Sequence, residues 1–326
     1  MISSILKGED LRIKPRDVGK GGVELIRKGK IYMVELANKI IRISSMNKLY
    51  QYFSLLRVSH WSKAVFVMLG FFYTPVPGYL FPSLIAAFSF CLISSAVYIY
   101  NDIQDKVEDS LHPYKCSRPI ASEQIAIFDA IVIMLLLMII GLTLGWLISK
   151  KLVLILTLYL LINLAYNHLL KLIPIFDVGC IALGFMLRVL AGTVGIDLGI
   201  SAWLIVAATL LSLFIALNKR QLEMQLGLKN STRKVLRRYK PDFLQKFIIA
   251  TGIACFITYL FYTVYARDES FFFLLTLPFA AFALWRFAWL ANQEKQNDDP
   301  VNVFLSDRLS RINLMCFAVL TFMALT

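Results

Sequence analysis

The sequence predicts an all-α membrane protein of nine transmembrane helices, on three observations. Of 326 residues 58% are hydrophobic, and the mean hydropathy is +0.68. A water-soluble domain has too little polar surface to cover that much apolar side chain, so lipid must cover it. The apolar residues gather into nine runs, near 64–81, 84–101, 124–148, 151–169, 174–194, 200–218, 245–266, 270–291 and 310–326, most of them long enough to cross a bilayer as a helix. No strand alternation, low-complexity tract or solenoid period interrupts them.

Taken in order, residues 1–62 precede the runs and read as a cytoplasmic extension, leaving 63–326 as the transmembrane domain. Met1–Lys20 has no apolar core of a cleavable signal, so the first run is expected to serve as the insertion signal. Val23, Ile26, Met33, Leu36, Ile40 and Ile41 form a rough helical stripe, suited equally to a membrane surface and to a second protomer. The first run is broken by Pro75 and Pro77, and the last is short. Between the runs lie the charges. Residues 1–63 carry 13 Lys/Arg against 5 Asp/Glu, and residues 219–246 carry 9 against 2. The positive-inside rule then places the loops 101–123, 170–173, 219–244 and 292–309 in the cytoplasm. The net charge of +13 is thus explained by anionic lipid headgroups and an anionic substrate, not by nucleic acid. The five cysteines show no CxxC spacing and His60, His112 and His168 are scattered, so neither a disulfide framework nor a zinc site is expected.

The loop after the second run carries the chemistry. If the helix continues past Tyr100, Asp102, Asp105 and Asp109 fall on one face at spacings of three and four. Three carboxylates so placed repel one another unless a cation sits between them. The natural cation for hard oxygen ligands is Mg²⁺, which usually takes one or two carboxylates and a substrate phosphate. Asn101 adjoins the acids, and Lys115 and Arg118 follow, placed to hold the same anion; Glu108 lies off that face and reads as a helix cap.

A second polar set recurs in the other half. Tyr166, Lys171 and Asp177 span the next cytoplasmic turn, and Arg188 lies inside an apolar helix. An arginine there costs at least ~2.5 kcal/mol near the bilayer centre, so it is expected to face the bundle interior with an acidic or phosphate partner. Lys219, Arg220 and Glu223 sit at the following cytoplasmic end. Such a ring of Lys and Arg suits a sugar phosphate. Asp129 and Arg286 belong to no motif and read as structural.

These residues resemble the UbiA superfamily of intramembrane transferases. Its first signature, N-D-x-x-D-x-x-x-D, is matched by Asn101, Asp102, Asp105 and Asp109, and its second by Tyr166, Lys171 and Asp177. The resemblance implies nine helices around a central cavity open to the cytoplasmic side, with Mg²⁺ bridging carboxylates to a diphosphate. It also suggests a homotrimer. Within the superfamily, His112-Pro113-Tyr-Lys115-Cys-Ser-Arg118-Pro119-Ile120-Ala121 is similar to the H-P-x-K-x-x-R-P-I-A of the phosphoribosyltransferases that act on decaprenyl phosphate. Trp61-Ser62-Lys63 resembles the Trp-x-Lys of their first helix, although Ala64 stands where Asn is common.

The resemblance therefore implies transfer of 5-phosphoribose from phosphoribosyl diphosphate to a polyprenyl phosphate at a bacterial inner membrane, for cell-envelope glycan synthesis. Asn101, Asp102, Asp105 and Asp109 would hold the metal. Lys63, Lys115, Arg118 and Arg188 would position the two reacting phosphates, and Lys171, Lys219 and Arg220 the ribose 5-phosphate. Two rivals remain: a UbiA-type aromatic or quinone-precursor prenyltransferase using a prenyl diphosphate, and a transporter lined by its intramembrane charges.

Overall fold

A computed structural model of the chain describes residues 49–112, 115–199, 201–225, 234–265, 271–293 and 300–325. It divides the chain into two units, Met1–Phe53 and Ser54–Thr326; the packing described below is that of the second, and the first helix starts in the last residues of the first. The apolar stripe from Val23 to Ile41 lies outside the described residues, as do Pro113 and Tyr114.

Among the described residues nine helices are long and apolar enough to span a membrane: α1 (Leu49–Tyr73), α2 (Pro77–Gln104), α3 (Ile127–Ile148), α4 (Lys150–His168), α5 (Phe176–Ile196), α6 (Ala202–Gln225), α7 (Pro241–Tyr265), α8 (Phe271–Ala291) and α9 (Arg308–Leu325). The number agrees with the sequence, and two boundaries do not. α1 begins at Leu49 rather than near 64, taking in residues read as extension, and its Val58–Ala64 stretch is 3₁₀. It stops at Tyr73 because Pro75 and Pro77 cannot donate to a helical ladder. Pro77 then opens α2, where its missing N–H costs nothing. α6 runs to Gln225, beyond its apolar run, so Lys219, Arg220 and Glu223 are helical and not in a loop. Hydropathy marks the lipid-buried length, not the end of the hydrogen-bonded ladder.

Burial separates central helices from peripheral ones. In α2 and α5, 67% and 61% of the apolar window is buried inside the protein; in α3 and α9 only 11% is. α2 packs on α1, α3, α4 and α5, and α5 hands over to α6, which packs on α7 and α8. The outer faces present Phe128, Ile139, Trp146 and Phe322 to lipid. α1 and α5 meet through glycine: a methyl on Gly192 would stand 1.6 Å from the Val67 carbonyl oxygen, and one on Gly70 2.4 Å from that of Gly192. Only small residues allow backbones to approach so closely.

Among the described residues four apolar clusters result, of which two are large. One gathers Phe90, Ile93, Leu152, Leu156 and Leu187, the other Phe214, Leu217, Leu244 and Phe287. Arg286, which the sequence leaves without a motif, locks α8 to the start of α9. Its guanidinium donates to Asp307 at 2.9 and 3.1 Å, and the Ser310 amide donates to the same carboxylate at 3.0 Å. The hydrogen bonds from Arg286 hold the Asp307 carboxyl well below the usual carboxylate range.

Candidate active site

α2 ends at Gln104. Asp105 (φ −91°, ψ 8°) closes it, and a separate short helix, Lys106–Ser110, follows. The continuous helix expected through Asp109 is therefore broken at the middle acid. The bend keeps all three carboxylates on one cavity of about 320 Å³. Asn101, Asp102, Asp105, Asp109, Lys115 and Arg118 line it from the first half, and Tyr166, Lys171 and Asp177 from the second. Two sequence segments some seventy residues apart thus share a chamber because the ends of α2 and α4 and the start of α5 converge.

Each acid is already matched by a cation. Arg118 donates to Asp109 at 2.5 Å and to Asp102 at 3.1 Å, Lys115 lies 3.8 Å from Asp109, and Lys171 lies 3.2 Å from Asp105. A further cation, Arg57, pairs with Asp102. Asn101 accepts from the Asn167 amide, which also bonds the Asn163 carbonyl at 3.1 Å.

Several wall residues escape sequence reasoning. Glu108, read as a bare cap, lines the cavity because the break at Asp105 rotates the following turn. Arg57, Asn167, Leu172 and Val235 line it too. Asn167 adjoins Tyr166 and was within reach of a local scan. Arg57 was not, because its left-handed backbone (φ 49°, ψ 48°) is what places it. Val235 arrives on a 3₁₀ turn, Lys234–Arg238, that folds back from the loop after α6.

Five proposed ligand residues, Lys63, Arg188, Lys219, Arg220 and Glu223, are not on that wall. Arg220 is buried, its Nε 2.7 Å from Asp177 and its Nη1 2.6 Å from Glu223. Tyr239 donates to the other oxygen of Asp177 and accepts from the Ile175 amide at 2.8 Å. Arg220 and Glu223 therefore build the support behind Asp177 and do not face a ligand. Burial, then the bond to Asp177, push the Tyr239 phenol above its ordinary value, so it stays a neutral donor.

Arg188 also differs from expectation. Among the described residues no carboxylate pairs with it. Its guanidinium donates to the Gly184 carbonyl at 3.0 Å and the Tyr159 hydroxyl at 3.2 Å. The rings of Phe90, Tyr159 and Phe185 surround it at 4.9–5.2 Å. Aromatic quadrupoles replace the acid.

The donor set suits a hard divalent cation. Among the described residues no three acids, histidines or cysteines converge as a ready cage. Mg²⁺ does not need one: it keeps one or two carboxylates and takes its remaining oxygens from phosphate and water. Asp105, partly open to the cavity, and Asp109 beside it meet that requirement.

Residues 64–307 match the model of the UbiA prenyltransferase family, three quarters of the chain. The chain belongs to the UbiA prenyltransferase family. A decaprenyl-phosphate phosphoribosyltransferase of Mycolicibacterium smegmatis is 29% identical over 236 residues, 68% of this chain and 74% of the relative. One from Corynebacterium glutamicum is 33% identical over 165 residues, 49% and 50% respectively. Among solved structures, a UbiA homolog from Archaeoglobus fulgidus bound to DMAPP and Mg²⁺ superposes with a TM-score of 0.66 at 18% identity, covering 84% of this chain and 99% of that one. At that identity the likeness establishes the fold alone, a UbiA-type bundle of membrane helices; the family match makes the chain a transferase.

Proposed function

We propose that this transferase moves 5-phosphoribose from phosphoribosyl diphosphate to a polyprenyl phosphate, with its cavity facing the cytoplasm of a bacterial inner membrane. The observation that carries the reading is the cavity wall itself, where Arg57, Lys115, Arg118 and Lys171 each sit on a carboxylate. Such a wall exchanges partners. An entering diphosphate takes over Lys115, Arg118 and Lys171, and the released Asp105 and Asp109 hold a divalent cation. Held there, Mg²⁺ would supply charge neutralisation to the departing diphosphate.

The chemistry asks little else of the chain. The lipid phosphate oxygen, already anionic, brings its electron pair to C1 of the ribose as the bond from C1 to the diphosphate oxygen breaks. That electron pair leaves with the diphosphate, and no general base is required. Lys115, Arg118 and Lys171 stay on the departing phosphates, where charge grows as C1 becomes oxocarbenium-like. Asp177, braced by Arg220 and Tyr239, presents a fixed carboxylate to the same chamber.

The family itself favours the rival in which the diphosphate belongs to a prenyl donor and the acceptor is aromatic. The His112–Lys115 stretch argues against it, since its added basic group suits two phosphorylated substrates better than a prenyl diphosphate and an aromatic acid, which bring fewer negative charges. Purified protein is incubated with labelled phosphoribosyl diphosphate and polyprenyl phosphate, and in parallel with prenyl diphosphate and an aromatic acid, each with Mg²⁺. Product lipid carrying phosphoribose is expected. A prenylated aromatic product alone overturns the reading, and flux into sealed vesicles without covalent product favours a transporter.

A further inference from the structure

Behind Asp177 lies a groove of about 30 Å³ that shares no wall residue with the cavity. It runs between the turn into α5 and the facing stretches of α6 and α7, and its wall is apolar throughout. Ile175, Leu213, Leu217, Phe243 and Phe247 surround the ring of Tyr239, whose hydroxyl is taken up by Asp177 and the Ile175 amide. A slot of this kind gives water no polar partners and takes hydrocarbon. Phe243 and Phe247 stand exposed on α7 with ring centres 4.6 Å apart, and Ile175 is exposed as well.

Two features make the groove more than a gap in the packing. Ile175 holds φ 73° and ψ −48°, a region that a β-branched residue rarely enters. Strain of this kind persists where the surrounding structure imposes it. Here it brings the Ile175 amide to the Tyr239 hydroxyl at 2.8 Å and sets the side chain in the groove wall. The second feature is charge. Lys240, Phe243 and Phe247 follow one another at spacings of three and four, and Lys246 stands three beyond Phe243. Both lysines are exposed and flank the aromatic face. Arg238, exposed beside them, donates to the Leu172 carbonyl at 3.0 Å. From 238 to 246 these three cations stand against one acid, Asp242. An apolar slot under such a rim matches a lipid with an anionic headgroup, and long lysine stems carry their charge up to that level.

We propose that an anionic phospholipid, from the leaflet at the cavity end of the bundle, binds with its headgroup on Lys240 and Lys246 and one chain in the groove, and that it thereby steadies Tyr239 and Asp177. The route is short. The chain meets the Tyr239 ring and the Ile175 side chain, while the hydroxyl and the amide of the same two residues fix the turn into α5. Asp177, two residues past Ile175 and bonded to that hydroxyl, lines the cavity. The lipid site rests on the geometry alone, and its effect on turnover rests on the phosphoribosyl-transfer reading.

The test uses the full chain in nanodiscs of phosphatidylcholine, alone or mixed with phosphatidylglycerol, and compares wild type with Phe247→Ala and with the paired variant Lys240→Gln, Lys246→Gln. Native mass spectrometry reads which lipid is retained, and hydrogen exchange follows the segment that contains Ile175. Wild type is expected to retain phosphatidylglycerol over phosphatidylcholine. The paired variant should bind it roughly twentyfold more weakly, about fivefold for each cation lost. Phe247→Ala weakens it several-fold, because the chain loses a wall. Phosphatidylglycerol should slow exchange at the Ile175 segment in wild type and leave the paired variant unmoved. Wild-type phosphoribosyl transfer should rise a few-fold with phosphatidylglycerol, and the paired variant should stay at the rate both show in phosphatidylcholine alone. Equal retention of the two lipids overturns the site, as does phosphatidylglycerol binding to the paired variant as tight as to wild type. Exchange that does not change with lipid bound, or a rise in turnover shared by the paired variant, overturns the coupling. If wild type forms no phosphoribosyl lipid in either nanodisc the reaction reading fails, while retention and exchange still decide the lipid site and its coupling to Tyr239.

Discussion

Two acid–base clusters, alike in the sequence, behave as opposites in the fold. The rim cluster of Asp105 and Asp109 with Lys115, Arg118 and Lys171 opens onto the cavity, with cation side chains about 30% exposed. The hub of Arg220, Glu223 and Tyr239 behind Asp177 is buried: it meets the cavity wall only through Asp177, and the Arg220 and Asp177 side chains are each 1% exposed. Water at the rim lets ion pairs dissolve and re-form on a ligand, and its absence at the hub makes the same chemistry permanent. On the proposed function one cluster would exchange its partners for a ligand, while the other holds Asp177 and the returning loop in place.

The largest effect is expected at the hub. Arg220→Met leaves two buried carboxylates without their cation and should cost about 3–5 kcal/mol, read as a sharp fall in thermal unfolding temperature and folded yield. Retained stability would show that the hub is not buried. At the rim, Asp109→Ala should lower phosphoribosyl transfer at least ~100-fold while the protein still inserts and melts within a few degrees of wild type. Turnover like wild type there would remove Asp109 from the site. Tyr239→Phe separates the two roles further: it takes one hydrogen bond from Asp177 and should destabilise by about 1–2 kcal/mol, with only a several-fold change in turnover. The smallest contrast is with salt. Raising ionic strength from about 0.05 to 0.5 M should raise the donor KM a few-fold by screening the rim cations, and leave the unfolding contribution of the hub unchanged. Equal salt sensitivity in both measurements would erase the distinction.

A good part of this was legible beforehand. The nine spans follow from hydropathy, and the first signature loop from three carboxylates at helical spacing followed by two cations. The grouping of Tyr166, Lys171 and Asp177 with that loop follows from both lying at the same end of the helices. What failed did so for physical reasons. Arg188 was expected to find an acid, but three aromatic rings satisfy it. Arg220 and Glu223 looked like ligands because charge near a membrane end usually is solvated, and here α6 carries both inward on a turn beyond the apolar run. Arg57 was not singled out, since nothing local announces its left-handed backbone.

By itself, then, the sequence determined the class of molecule, the nine candidate spans found among the described residues and the polar residue types that line the candidate site. Those depend on composition and on spacing along one helix, and both are local quantities. Only the tertiary structure decided which charges meet the cavity and which are buried behind it. Exposure is a property of how α2, α4, α5 and α6 pack against one another, and identical residues become exchangeable or fixed according to whether water reaches them.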